Sequence, residues 1–187
     1  MKKILFFLLL IFSLYAQGQP LVDLNAYKSN GAVVSIDQKR VTIKWPGGAS
    51  AFSRVVLDLE KKQPLFYSIG EEENGRFVDI VKGLDPAFIL WQGTRTLSPS
   101  SGGWDVFFDR VPNRPYTTEL IRLDKSTASV HTIGSSTVVK INKVNSRDFS
   151  GHIEITFYNG SPLFNIAAVI ATDKDSTAIL NDARLVH

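Results

Sequence analysis

The sequence contains no cysteine. Disulfide bonds, thiolate nucleophiles, iron–sulfur clusters and cysteine-ligated zinc sites are therefore excluded. Exported proteins without cysteine are common in bacteria and unusual among small eukaryotic secreted domains, so this absence favours a bacterial exported protein. The three histidines, His131, His152 and His187, are scattered, and none has a partner at metal-ligand spacing. We therefore expect neither a metal site nor a cofactor.

An excess of charge of one sign is also missing. The chain has 21 Lys and Arg against 18 Asp and Glu. Lys2 and Lys3 belong to the N-terminal leader described next, and the basic residues that remain almost balance the acidic ones. Nucleic-acid binding needs a clear basic surplus or stripe, so we expect no nucleic-acid partner.

Long apolar runs are confined to the N-terminus. Residues 1–3 form a positively charged start with Lys2 and Lys3, residues 4–15 form an unbroken apolar run, and Ala16 and Gly18 offer small side chains at the two positions that signal peptidase requires before a cleavage site. This pattern predicts a secretory signal peptide over residues 1–18, followed by a single mature domain over residues 19–187. The apolar run is too short to span a bilayer comfortably, so we expect a secreted or periplasmic protein without a transmembrane segment.

Sustained helical periodicity is absent as well. About a dozen short segments alternate apolar and polar residues, as in 40–45 and 52–59, and turn residues separate them. This spacing predicts an all-β fold, an antiparallel β-sandwich of the supersandwich type with little or no helix. We expect a break in the strands at residues 82–86. Residues 177–180 are expected to form the last short strand, although residues 173–184 are the one stretch where a helical turn is worth considering.

The clearest hairpin spans residues 149–172. Ile153, Ile155 and Phe157 alternate with polar residues, and Asn159-Gly160 tolerates the positive φ of a tight turn. The returning arm, residues 163–171, is apolar on both faces. Such a strand is expected in the middle of a sandwich, with the rest of the chain packed around it.

Aromatic and arginine side chains gather around two loops, residues 92–103 and 109–115. Sugar-binding sites stack pyranose rings on Trp and Tyr and hold the hydroxyl groups with Arg, Asp and Asn. The ligand-binding residues predicted on this basis are Trp91, Arg95, Trp104, Asp105, Asp109, Arg110, Arg114 and Tyr116. Core packing is the alternative interpretation of both Trp91 and Trp104, and it is less strongly favoured at Trp104, beside two glycines, than at Trp91.

Two of these residues also allow an enzymatic interpretation. Asp105 and Asp109 flank an aromatic stretch, and paired carboxylates serve as acid and base in glycoside cleavage. With Arg110 or Arg114 they would form the site of a glycan hydrolase, lyase or epimerase. The alternative is that Asp109 caps a turn and that Asp105 is a solvated strand residue.

Five stretches resemble the opening β-sandwich of large, poorly characterised secreted bacterial proteins. They are residues 103–109, 113–116, 149–153, 156–163 and 178–185. Those sandwiches are in turn similar to galactose-mutarotase-like modules of carbohydrate-active enzymes. The resemblance implies a β-sandwich with a carbohydrate-related role and supplies no catalytic residues. In the similar proteins the chain continues beyond the position of Leu185, so we expect a truncated or free-standing version of that module.

Three functions follow from the sequence. The leading hypothesis is a secreted, non-catalytic accessory or binding module with a glycan ligand. The second is a glycan-active enzyme or a truncated fragment of one. The third is a protein-interaction domain whose unfinished sheet edge near Leu185 pairs with another chain.

Overall fold

The computed structural model describes residues 21–48, 51–94 and 115–187. These residues form twelve β-strands and no helix, which confirms the predicted all-β class. No helix that could cross a bilayer is therefore found within these ranges. The strands are β1 (Val22–Ala26), β2 (Val33–Asp37), β3 (Arg40–Gly48), β4 (Ala51–Asp58), β5 (Phe66–Glu73), β6 (Arg76–Thr94), β7 (Tyr116–Leu120), β8 (Arg122–Ile133), β9 (Ser136–Asn145), β10 (Ser150–Tyr158), β11 (Phe164–Ala171) and β12 (Thr177–Val186).

The strands form two sheets that pack together. One has five strands in the order β1-β8-β9-β10-β11. The other has seven: β12-β6-β5-β4-β3-β2 in sequence, with β7 also paired to β6. All described strand pairs are antiparallel except β1 with β8, which is parallel. The predicted antiparallel sandwich is therefore confirmed, with one parallel strand added at an edge.

The core is built from strands that alternate strictly between an inner and an outer face. In β3, Val41, Ile43 and Trp45 are buried between the sheets, whereas Thr42 and Lys44 lie on the outer face. Successive side chains of a strand project to opposite faces. The alternating sequence therefore gives one row of buried side chains and one row that faces solvent.

Four aromatic rings join the two sheets, and we call Trp45, Phe66, Phe157 and Phe164 the aromatic cluster. The ring of Trp45 is 4.8 Å from that of Phe157 and 6.2 Å from that of Phe164, and Phe66 is 5.9 Å from Phe164. Trp45 Nε1 also donates a hydrogen bond to the backbone oxygen of Ser161 at 2.8 Å. The polar atom of the largest core side chain is thereby satisfied, as burial requires.

The β10–β11 hairpin forms where the sequence predicts it, with φ of +86° at Gly160. Its position in the sheet is a correction, however. β11 is the edge strand of the five-stranded sheet and pairs only with β10, so the prediction of a central strand is wrong. Phe164 and Ile166 of β11 pack against the core while Val169 is exposed. An apolar pattern reports what covers the faces of a strand, and it carries no information on the number of neighbours in the ladder.

The break predicted at residues 82–86 is also wrong, because β6 runs through it. Gly83 has a φ of +70°, which accommodates a change of direction. The first half of β6 pairs with β5, and the second half pairs with β12 on one side and β7 on the other. The considered helical turn at residues 173–184 is wrong too, because ten consecutive cross-strand pairs with β6 hold Thr177–Val186 extended.

The close approach of β10 and β11 makes Gly151 essential. A Cβ at this position would lie 1.9 Å from the backbone oxygen of Val169. We expect Gly151→Ala to lower the free energy of unfolding by about 1–3 kcal/mol, because β11 must shift to admit the methyl group. Urea unfolding followed by circular dichroism measures this loss.

Gly93→Ala is the matched control. A Cβ there would meet its nearest atom, the backbone oxygen of Pro115, at 3.6 Å, an ordinary contact. We expect this variant to stay within about 0.5 kcal/mol of the parent. Equal losses in both variants would contradict the packing at Gly151.

Candidate functional site

One end of the seven-stranded sheet carries aromatic side chains on its outer face. Leu180 of β12 lies opposite Trp91 of β6, and both Tyr116 of β7 and Ala178 of β12 lie opposite Gly93. Directly opposite residues of an antiparallel pair project from the same face. Three strands therefore contribute to one continuous surface at the point where β6 ends and β7 begins.

This surface forms a groove with a cavity volume of about 780 Å³. We call it the aromatic groove, lined chiefly by Trp91, Gly93, Tyr116, Ala178, Ile179 and Leu180. Tyr116 is 63% exposed and Leu180 73% exposed, while Trp91 is half-buried. Among the described residues, no acidic, basic or imidazole side chain lines the groove. Its volume falls in the range of about 300–1,000 Å³ that is typical of small-ligand sites.

Gly93 forms part of the base of the aromatic groove and has no side chain to fill it. It lies between two residues that carry rings, Trp91 on its own strand and Tyr116 on β7. Trp91 and Tyr116 are diagonal neighbours, which sit about 7–8 Å apart across a strand pair. Because Gly93 has no side chain, the space between the two aromatic side chains stays open.

A smaller, polar cavity of about 280 Å³ opens at the same end of β6. Gln92, which neighbours Trp91 and so projects to the other face, donates from Nε2 to Asp148 Oδ2 at 2.6 Å. Lys174 Nζ donates to the same oxygen at 2.9 Å. We call these three residues the Asp148 cluster. It connects β6 to the β9–β10 and β11–β12 turns, and its cavity shares Gly93 and Tyr116 with the aromatic groove.

The carboxyl groups of the described residues are held in their charged form wherever a shift is evident. Hydrogen bonds from Lys174 and Gln92 lower the pKa of Asp148, and a hydrogen bond from His152 lowers the pKa of Glu154. A general acid needs a pKa near the working pH, and these shifts run in the opposite direction. Within the same ranges no three His, Asp or Glu side chains gather into a set that could hold a metal ion.

Two of the eight predicted ligand-binding residues, Trp91 and Tyr116, are described by the structure, and both line the aromatic groove. Trp91 is half-buried and projects from the outer face of the larger sheet. The other six lie outside the described residues: Arg95, Trp104, Asp105, Asp109, Arg110 and Arg114. The acid–base pair of the enzymatic hypothesis belongs to these six and stays a prediction.

The sequence analysis missed the contributions of β12 and of the turns. Ile179, Leu180, Asp148 and Lys174 are far from Trp91 along the chain and reach the site only through strand pairing and turn contacts. Nothing local in the sequence signals such contacts. Ile179 and Leu180 are adjacent apolar residues that project to opposite faces of β12, and both are exposed.

Comparison with models of known protein families, with curated proteins and with solved structures finds no match for this chain. The class that its own structure defines is a cysteine-free antiparallel β-sandwich with an aromatic groove at one end of the larger sheet.

The Asp148 cluster predicts a specific pH dependence. The pKa of Asp148 is lower in the fold than in the unfolded chain, where a free Asp has a pKa of about 3.9. The stabilisation is fully present above that value and is lost as the pH falls through the folded pKa. We expect Asp148→Asn to lose less stability than the parent between about pH 5 and about pH 2.

Urea unfolding over that pH range tests the expectation. Asp173→Asn, which removes an exposed carboxyl group next to Lys174, is the control and should keep the acid slope of the parent. An unchanged slope in Asp148→Asn would show that the cluster contributes nothing to acid stability.

Proposed function

We propose that the protein is a non-catalytic binding module that takes a carbohydrate chain in the aromatic groove. The observation that supports this most is the arrangement of Trp91 and Tyr116 on one face of the sheet, beside the open floor at Gly93. The chain also carries an N-terminal sequence typical of export. An exported module meets polysaccharides outside the cytoplasmic membrane, and we place the protein in the periplasm or outside the cell.

The chemistry of the groove suits a sugar ring. A pyranose presents a flat patch of C–H groups that packs on an aromatic face, and Trp and Tyr supply such faces at low conformational cost. Trp91 and Tyr116, about 7–8 Å apart by their register, would contact neighbouring parts of one saccharide chain. Thr94 and Asn181 at the rim offer neutral hydrogen-bonding groups for hydroxyls.

Polar groups for further hydroxyls lie just beyond the rim. The Asp148 cluster is reached past Gly93 and Tyr116, which border both cavities. Asp148 is already bound by Gln92 and Lys174, so it is a fixed, charged acceptor rather than a free base. A preorganised polar group next to an apolar platform is the usual design of a site that orients a ligand.

A binding role fits the electrostatics better than a catalytic one. Glycoside cleavage needs two carboxyl groups, one of them with a raised pKa, on either side of the scissile bond. The part of the chain that the structure describes places no carboxyl group in the lining of the aromatic groove, and the adjoining Asp148 has a lowered pKa.

Tyr116→Ala is the direct test. The ring is largely exposed, so its loss should leave the fold intact, while removing half of the proposed platform. Losing one aromatic contact is expected to weaken glycan binding by about 1–2 kcal/mol, roughly tenfold or more. A glycan array identifies the ligand, and isothermal titration of that ligand against the parent and the variant gives the affinities.

Tyr158→Ala is the matched control, because Tyr158 is an exposed tyrosine, 40% accessible, at the end of β10 in the other sheet. Its affinity should equal that of the parent. Gly93→Val is a second probe, since a branched side chain would fill the floor between the two rings. A folded parent that binds no glycan overturns the proposal, and equal affinities in Tyr116→Ala and Tyr158→Ala would move the site away from the groove.

A further inference from the structure

The strand β12 has the longest free edge in the described part of the chain. It pairs with β6 over ten residues, and none of the described strands pairs with its other side. β1 and β2, which also end their sheets, have five residues each, and β11 has eight. A free edge exposes a row of backbone N–H and C=O groups that another strand can bind.

The edge of β12 lacks most of the features that usually prevent strand association. Soluble proteins protect edges with charged side chains, above all lysine, and with proline, bulges or very short strands. β12 contains neither proline nor lysine, and its register with β6 shows no irregularity over ten pairs. Large apolar side chains at Ile179, Leu180, Leu185 and Val186 are exposed along it.

The charges of β12 point to its partner. Asp182 and Arg184 lie two residues apart on the outer face, and Arg184 donates to Asp182 within the strand. We propose that a second copy of this chain pairs with β12 in antiparallel orientation about a twofold axis, with Ala183 opposite Ala183 of the second copy. In this register Asp182 faces Arg184 of the second copy, and Arg184 faces Asp182 of the second copy.

Neighbouring registers lack this complementarity. A twofold axis perpendicular to the sheet places the core-facing sides of both copies on one face. Each residue must therefore pair with a residue of the second copy that projects to the same face. Centring the pair on Asp182 would oppose two carboxylates, and centring it on Arg184 would oppose two guanidinium groups. Only the Ala183 register gives each charge an opposite charge both across the interface and along its own strand, and like charges placed directly opposite are destabilising.

One apolar pair also forms in this register, and a second apolar residue lies opposite an amide. Leu180 faces Val186 of the second copy on the outer side, and Leu185 faces Asn181 of the second copy on the inner side. The core is partly open beside Leu185, where a cavity of about 300 Å³ lies between β11 and β12, lined by Phe88, Phe164 and Ile166 among others. A strand added to β12 would border the mouth of this cavity and shield its apolar lining from water.

The dimer would have a consequence for the aromatic groove. Leu180 is part of the groove wall, and its partner Val186 of the second copy would extend that wall. The twofold axis places both grooves on the same face of one continuous sheet. The dimer itself does not depend on what the groove binds, so a failure of glycan binding leaves this inference untouched.

Sedimentation of the purified protein over a range from micromolar to hundreds of micromolar tests the dimer. We expect the mass-average molar mass to rise from that of one copy towards that of two copies as the protein concentration increases. A molar mass of one copy at all concentrations would overturn the inference. The free edge of β12 would then be available only to a strand of a different protein.

Cysteine cross-linking tests the register. The chain has no cysteine of its own, so Ala183→Cys introduces one thiol per copy, and in the proposed register the two Cβ atoms lie about 4.5–5.5 Å apart. That separation allows a disulfide with a small adjustment. Mild oxidation should convert most of this variant to a covalent dimer.

Ala178→Cys is the matched control, on the same strand and also exposed. Its two copies would lie about 34 Å apart along the paired strands, at about 3.4 Å per residue, and should not cross-link. Equal cross-linking of the two variants would indicate random collision and reject the register.

Charge reversal provides an independent check on folded protein. Asp182→Arg places like charges opposite each other twice in the dimer, and we expect dimerisation about tenfold weaker. Adding Arg184→Asp to the same chain exchanges the two charges and should restore the parent affinity. A double variant as weak as Asp182→Arg would contradict the pairing of these two side chains.

Discussion

The contact of Trp45 with Phe157 and Phe164 is the interaction on which the rest of the structure depends. It joins β3 of the larger sheet to the β10–β11 hairpin of the smaller one. The hydrogen bond from Trp45 to Ser161 holds the hairpin connection against the same ring. With that hairpin in place, β11 ends beside the larger sheet, and a turn of five residues delivers β12 to β6. The free edge of β12, the aromatic groove and the Asp148 cluster all depend on this placement of β12 beside β6.

The two halves of β6 have different neighbours in the larger sheet. Its first part completes the larger sheet beside β5, and its second part carries Trp91 and Gly93 between β7 and β12. The change of neighbours occurs near Gly83, whose positive φ a residue with a side chain rarely adopts. The second half of β6 therefore contributes Phe88 and Leu90 to the core on its inner face and Trp91 to the aromatic groove on its outer face. Sites on such regular elements are positioned more accurately than sites on loops.

The candidate site was partly predictable. Trp91 and Tyr116 were predicted from the local density of aromatic and arginine residues, and both line the groove. Leu180 and Asp148 were not predicted, because they approach Trp91 and Gln92 only through contacts between residues distant in sequence. Local composition identifies side chains suited to a ligand, whereas strand order decides which other side chains stand beside them.

The sequence by itself determined the class of fold and the faces of its strands. Alternation with a period of two placed Val41, Ile43 and Trp45 inside, because burial of apolar surface acts on each side chain locally. Only the tertiary structure decided that β11 is an edge strand, that β6 continues past Pro86, and that β12 continues beyond Leu180 to Val186. Those outcomes depend on backbone hydrogen bonds between strands. Every residue offers nearly the same backbone groups, so the choice of neighbour leaves little trace in the order of side chains.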